Sequence, residues 1–218
     1  MNDILELKNI TYSIKGKDIL KNISLSIKKG SFLTISGPSG SGKSTLLKII
    51  ASMASPTSGT ISYKDKLIDD YQMTDYRKEV SYSFQNASLF GETVKENLAF
   101  PFEIRGEEFN QQHVMEALKM VQLPESYLDK KVTTLSGGEK QRIALIRNII
   151  FLPEILLLDE VTSALDTENR RIIGQAIRQL NKEKGITVLW VTHNEEEIQE
   201  SDYKIEIING EIGGITNE

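Results

Sequence analysis

Cysteine is missing altogether from the 218 residues. Its absence excludes disulfides and thiolate metal sites and leaves the redox compartment undecided. Long apolar runs are missing too: the longest, residues 155–158 and 187–191, fall far short of the ~20 residues of a membrane-spanning helix. No segment is therefore expected to cross a bilayer, and any membrane role must come through a partner. An excess of basic charge is also lacking, with 26 Lys and Arg against 31 Asp and Glu and a net charge of −5. Global charge thus gives no support to nucleic acid as a ligand, although a local basic patch stays open. Residues 1–10 carry acidic groups early and no basic stretch followed by an apolar one, so they do not read as a secretion signal. The expectation is a cytoplasmic protein without a nucleic-acid partner.

What is present looks like an ordinary globular chain, 39% apolar and 26% charged, long enough to bury a core without metal or disulfide staples. Residues 4–14 and 19–27 alternate apolar and polar side chains around Lys15-Gly16-Lys17, which predicts an antiparallel hairpin half exposed to water. Residues 32–36 predict a short buried strand, followed by a glycine-rich loop and then helical spacing at Leu46, Leu47, Ile49 and Ile50. A turn at residues 56–59 opens a β segment over 60–68, and residues 80–84 form a further strand. From residue 93 the pattern turns helical, which places a helical subdomain at 86–135 between core segments 1–85 and 136–218 of a single domain. Helices over 136–151 and 166–182 alternate with apolar strands over 155–158 and 187–192, and residues 203–212 close with a hairpin around Asn209-Gly210. Apolar strands separated by helices indicate a parallel sheet covered on both faces.

The sharpest chemical signal is Gly37-Pro38-Ser39-Gly40-Ser41-Gly42-Lys43-Ser44, a full match to G-x-x-x-x-G-K-[ST]. Glycines let the backbone curl around phosphate with its N–H groups pointing inward, the lysine meets the β- and γ-phosphate charge, and the small hydroxyl ligates Mg²⁺. Residues 155–158 then deliver Asp159 and Glu160 to the edge of a buried strand. There Asp159 suits the Mg²⁺ shell and Glu160 a general base for the attacking water. His193 follows the strand at 187–191 and precedes Asn194, a helix cap with Glu197 three residues on; it reads as structural in isolation and as part of the site beside a phosphate loop. His113 lies in polar helical sequence and is expected to be solvated. Ser136-Gly137-Gly138-Glu139 is a capping box that any helix would use, but two glycines in its first turn cost about 2 kcal/mol of helix propensity. They permit an anion to reach bare backbone N–H groups at a positive helix end.

Together these elements resemble the nucleotide-binding domain of ABC (ATP-binding cassette) ATPases, over essentially the whole chain. Residues 37–45, ending in Thr45, look like Walker A; Gln85 looks like the Q-loop glutamine, residues 135–139 the family signature, Asp159 and Glu160 Walker B, residues 163–166 the D-loop and His193 the switch histidine. The resemblance implies an α/β P-loop NTPase fold of ABC ATPase type, its mainly parallel core sheet covered by helices, with an N-terminal antiparallel β subdomain and an inserted helical subdomain. It implies an enzyme that hydrolyses ATP with Mg²⁺ and pairs in an ATP-dependent homodimer, the signature of one copy (Ser136, Gly137, Gly138, Glu139) closing over ATP on the P-loop of the other. It further implies that Gln85 senses Mg²⁺ and the γ-phosphate, that His193 steadies the γ-phosphate and that Asp166 communicates between sites, although taken singly Gln85 also reads as a polar strand end and Asp166 as a plain N-cap. The helical subdomain would receive a coupling helix from an integral membrane permease, placing the chain peripherally on the inner face of the cell membrane. An adenine-stacking aromatic is expected late in the first strand; counting from Asn22 gives Ile14, with Tyr12 two residues earlier on the same face. Residues 100–105 and 189–194, with the three glutamates that follow, are similar to ATPase subunits of bacterial iron exporters, which implies an iron-exporter permease and iron as cargo. Phosphate, lipoprotein and peptide cargoes, a soluble ATPase acting on DNA or ribosomes, and a non-hydrolysing module are the alternatives.

Overall fold

The structure, a computed structural model, describes residues 3–217. Met1, Asn2 and Glu218, which the single-domain expectation includes, lie outside the described residues. The chain opens with β1 (Asp3–Ile14) and β2 (Lys17–Lys28), paired antiparallel. Their turn is Lys15-Gly16, both at positive φ, which suits the right-handed twist of a two-residue hairpin. After β3 (Phe32–Ser36) and α1 (Lys43–Ile50) come β4 (Ser58–Tyr63) and the two-residue β5 (Lys66–Leu67). The single β segment expected over 60–68 is thus a hairpin: Lys64 and Asp65 turn the chain at φ 48° and 61° without a glycine to announce it. A helix the sequence pattern does not signal, α2 (Met73–Glu79), buries only Tyr76 and so carries no apolar stripe.

Next come β6 (Val80–Ser83), α3 (Val94–Glu103), α4 (Gln111–Met120), α5 (Gly137–Ile149), β7 (Ile155–Asp159), α6 (Thr167–Lys184), β8 (Thr187–Val191), α7 (Glu195–Gln199), β9 (Tyr203–Ile208) and β10 (Glu211–Asn217). Two sheets result. One is antiparallel, in the order β2-β1-β4-β5; the other is six-stranded, in the order β10-β9-β3-β8-β7-β6, and parallel except for the terminal hairpin β9-β10. Strand periodicity divides the core in two. In β7, Leu156 and Leu158 pack with Val188, Trp190 and the helices α3 to α6, whereas Ile155 and Leu157 face the other way onto α1 and the antiparallel sheet. Each such side chain contributes roughly 1.5–3 kcal/mol of burial, and a strand buried on both faces needs the continuous apolar runs this sequence supplies.

This arrangement has one consequence for chemistry. Strands β3, β8, β7 and β6 are adjacent and parallel, so the segments that leave them, beginning at Gly37, Thr192, Glu160 and Phe84, all emerge at one edge of the sheet, where ligands collect in open α/β folds.

Candidate active site

Gly37 and Gly42 bracket the loop after β3 at φ 132° and 108°. A Cβ on Gly37 would stand 2.1 Å from the Ile207 carbonyl oxygen, and one on Gly42 would stand 2.6 Å from Leu20 Cδ2, so this path admits only glycine. The loop feeds α1, whose N-terminus has no side-chain cap and no acidic residue in its first turn. By contrast Thr93, Asn110, Ser136, Asp166 and Asn194 close α3, α4, α5, α6 and α7 with their side chains. The α1 N-terminus, like that of α2, leaves its first amides without a side-chain acceptor. Pro38, Ser39 and Gly40 are exposed at the loop crest, Thr45 is half-buried, and Ser41 Oγ is buried without a partner. Lys43 donates from Nζ to the carbonyls of Gly37 and Pro38 at 2.8 and 2.9 Å. Burial pushes its pKa down, while the charges of Glu160 and Asp159 push back.

Asp159 ends β7 buried and held at both oxygens: Ser44 Oγ donates to Oδ1 at 2.7 Å and Tyr82 Oη to Oδ2 at 2.6 Å. Glu160 follows at φ 50°, a left-handed conformation costing a non-glycine residue roughly 1–2 kcal/mol, and its N–H donates to Val191 O at 3.0 Å. Gln85 Nε2 donates to Glu160 Oε2 at 3.0 Å and to Ser163 Oγ at 3.3 Å, and His193 Nε2 lies 3.4 Å from Glu160 Oε1. Lys43, Ser44, Gln85, Asp159, Glu160 and His193 thus form one cluster. Ser44 and Asp159 make an oxygen pair of the kind a hard divalent cation accepts alongside water and phosphate, and the described residues contain no cage of three or more His, Cys, Asp or Glu. A carboxylate beside an imidazole and a buried ammonium can activate water next to an anionic substrate.

Two members of this neighbourhood escape sequence reasoning. Tyr82 is an ordinary tyrosine in an ordinary strand until β6 is known to lie beside β7. Glu197 is expected to complete a capping box at Asn194, and half of that box forms, since its N–H donates to Asn194 Oδ1 at 3.1 Å. Its carboxylate instead turns inward and accepts from Thr162 Oγ1 at 2.7 Å and from Thr192 Oγ1, joining the loop after Glu160 to the loop carrying His193. Burial raises its pKa, against the two hydroxyls and the charge of Arg170.

The signature turn stands apart. Ser136 and Glu139 form the full capping box, and Glu139 also accepts from Tyr127 Oη and pairs with Lys130 at 3.7 Å. The two glycines differ. A Cβ on Gly138 would fall 2.3 Å from Asn169 Cγ, whereas around Gly137 nothing lies within 4 Å. Gly138 is thus a packing requirement between α5 and α6, and only Gly137 keeps the open approach expected of both. Asp166 caps α6 and binds the same Asn169, through N–H at 2.8 Å and Nδ2 at 2.7 Å. Among the described residues no hydrogen bond or ion pair links Ser136, Gly137, Gly138, Glu139 or Asp166 to the Lys43–His193 cluster.

At the end of β1 the pairing register with β2 shifts between Tyr12 and Ser13, and the extra residue, Ile19, falls in β2. Tyr12 is half-buried against the core, and Ile14 is 48% exposed. His113 is not simply solvated: its ring packs edge-on against Phe102 and Phe151.

Residues 20–163 match the family described as ABC transporter. The chain is 47% identical to the Probable iron export ATP-binding protein FetA of Escherichia coli (strain K12), over 91% of this chain and 88% of that one. It is 38% identical to a spermidine/putrescine import ATP-binding protein, PotA of Mycoplasma mycoides, over 95% of this chain but only 59% of that protein's length. Its fold matches a dimeric ATP-binding cassette in a post-hydrolysis state bound to ADP and Pi, with TM-score 0.89, 34% identity and 98% of each chain covered. These likenesses lie over the site just described, and by them the chain belongs to the ABC transporter family, as an ATP-binding and ATP-hydrolysing transporter subunit.

Proposed function

We propose that the Lys43–His193 cluster holds Mg·ATP on its phosphates, and that the signature turn of a second copy completes the site. The observation that carries this is the division just described: one chain gathers a phosphate loop, two carboxylates, a glutamine and a histidine at one sheet edge, while its open Gly137 and Asp166 have no contact there. In this reading the α1 amides and Lys43 bind the β- and γ-phosphates, and Ser44 and Asp159, with Gln85, are the groups that hold Mg²⁺. Bound Mg²⁺ neutralises charge developing on the phosphates. Glu160 takes the proton of the attacking water, His193 steadies the water and the γ-phosphate, and Gln85 orients Glu160. The adenine contact falls to the end of β1, where Tyr12 and Ile14 sit.

The partner in the membrane is a permease of the FetB type and the cargo iron, a reading supported by the similarity to the Escherichia coli protein named for iron export. No helix among the described residues is long and apolar enough to cross a bilayer, so the chain would act from the cytoplasm through that permease. A groove of about 340 Å³ suits its docking: α3 contributes Phe100 and Pro101, followed by Ile104 and Arg105, with Arg147 and Phe151 opposite.

Glu160→Gln tests the chemistry. Loss of a general base costs roughly 10²–10⁴-fold, so phosphate release should fall by at least that lower factor with ATP binding retained. A variant that turns over at the parent rate removes Glu160 from the role.

A further inference from the structure

We infer that Tyr82 is a positioning residue for ATP hydrolysis: its phenol fixes the Asp159 carboxylate in the orientation that metal binding requires and ties that carboxylate to the groove side of the sheet. The inference rests on Asp159 holding Mg²⁺, as proposed above.

A carboxylate with one hydrogen bond can swing about its Cβ–Cγ axis; one held at both oxygens cannot. Asp159 is held at both, by a hydroxyl of the phosphate loop at 2.7 Å and by Tyr82 at 2.6 Å. The tyrosine gets there by strand geometry, because Tyr82 is in register with Leu157 and its neighbour strand ends two residues later at Asp159. Groups that orient a metal's ligands commonly matter by 10–100-fold in metal affinity or activity, although they never touch the ion.

The other side of the Tyr82 ring meets Phe84, edge to face at a centroid distance of 4.8 Å. Phe84 is 50% exposed, and with Tyr82 it lines a cavity of about 470 Å³ that shares Arg77, Ser81 and Asn148 with the groove proposed for the permease. A partner pressing on Phe84 is therefore one aromatic contact and one hydrogen bond from Asp159, by a route that does not pass through Gln85. Tyr82 lies in the edge strand β6 and Phe84 is the first residue after it, so one short stretch of backbone carries the positioning hydroxyl and the exposed ring.

Tyr82→Phe removes the hydroxyl and keeps the ring against Phe84. Calorimetric ATP titrations at a series of free Mg²⁺ concentrations, and in EDTA, are the test. The Mg²⁺ midpoint should rise by roughly tenfold, with ATP affinity in EDTA and thermal stability unchanged. An unchanged midpoint, or an equal loss of ATP affinity with and without Mg²⁺, overturns the inference. Asp159→Asn separates the two levels: if it shifts the midpoint and Tyr82→Phe does not, Tyr82 alone is misassigned, and if neither shifts it, the Mg²⁺ role of Asp159 fails as well. For the tie to the groove, Phe84→Ala should shift the midpoint in the parent and not in Tyr82→Phe; additive shifts would break that link.

Discussion

Gly137 and Gly138 are the same residue type in the same helical turn, and their surroundings set them opposite tasks. A methyl on Gly138 must displace Asn169, which is anchored twice to Asp166, so Gly138→Ala carries an overpacking cost of about 1–3 kcal/mol. Gly137 has open space, and alanine there recovers up to about 1 kcal/mol of helix propensity while its methyl would stand in the path of the phosphate proposed to reach it. Gly137→Ala is thus expected to raise the melting temperature and lower ATP turnover, and Gly138→Ala to lower both, as scanning calorimetry and phosphate release would report. Equal effects of the two substitutions would contradict the division. Residues whose identity is dictated by chemistry at short chain spacing were legible in the sequence: Gly37, Lys43, Ser44, Asp159 and Glu160 announce themselves by type and order. Tyr82 and Asn169 were not. Tyr82 meets its partner 77 residues away, across a strand pairing that no local pattern encodes, and Asn169 looks like a plain helical residue until Gly138 is seen against it.

Among the elements, the buried strands were the most legible, because a strand covered on both faces has little choice but Val, Ile and Leu. The elements missed were those whose stability comes from elsewhere. α2 buries one tyrosine, whose hydroxyl donates to Ile50 O at 2.6 Å, and the β4-β5 turn uses a lysine and an aspartate at positive φ. His113 was misread for a related reason, since its aromatic neighbours come from α3 and from Phe151 just beyond α5. The C-terminal end of α3 also bears the test of the permease surface. Ile104 is 58% exposed and Phe100 39%, so Ile104→Glu leaves a charge at the groove with little effect on folding, as surface changes usually fall within about 0.5 kcal/mol. In vesicles containing a FetB-like permease, the parent should show permease-stimulated ATP turnover and iron transport, and Ile104→Glu should keep basal turnover while losing both. Stimulation and transport at the parent level would remove this groove from the interface.

At the scale of the whole molecule, the fold sorts the groups proposed to meet ATP into two assemblies on one chain. Ser44 of the phosphate loop is hydrogen-bonded to Asp159, and Gln85 and His193 meet the adjacent Glu160; apart from these, Asn169 is hydrogen-bonded to Asp166 and packs against the signature turn at Gly138. In the proposed reading a single copy presents half of one site and the complementary half of another, and a second copy turned head to tail would satisfy both. Blocking hydrolysis should trap that pair. Light scattering on the Glu160→Gln chain, with and without saturating Mg·ATP, measures it directly: the mass should double with nucleotide and remain that of one chain when Lys43→Ala is added. A Glu160→Gln chain that stays monomeric at saturating Mg·ATP, or that pairs equally well without Lys43, would contradict an ATP site shared between two copies.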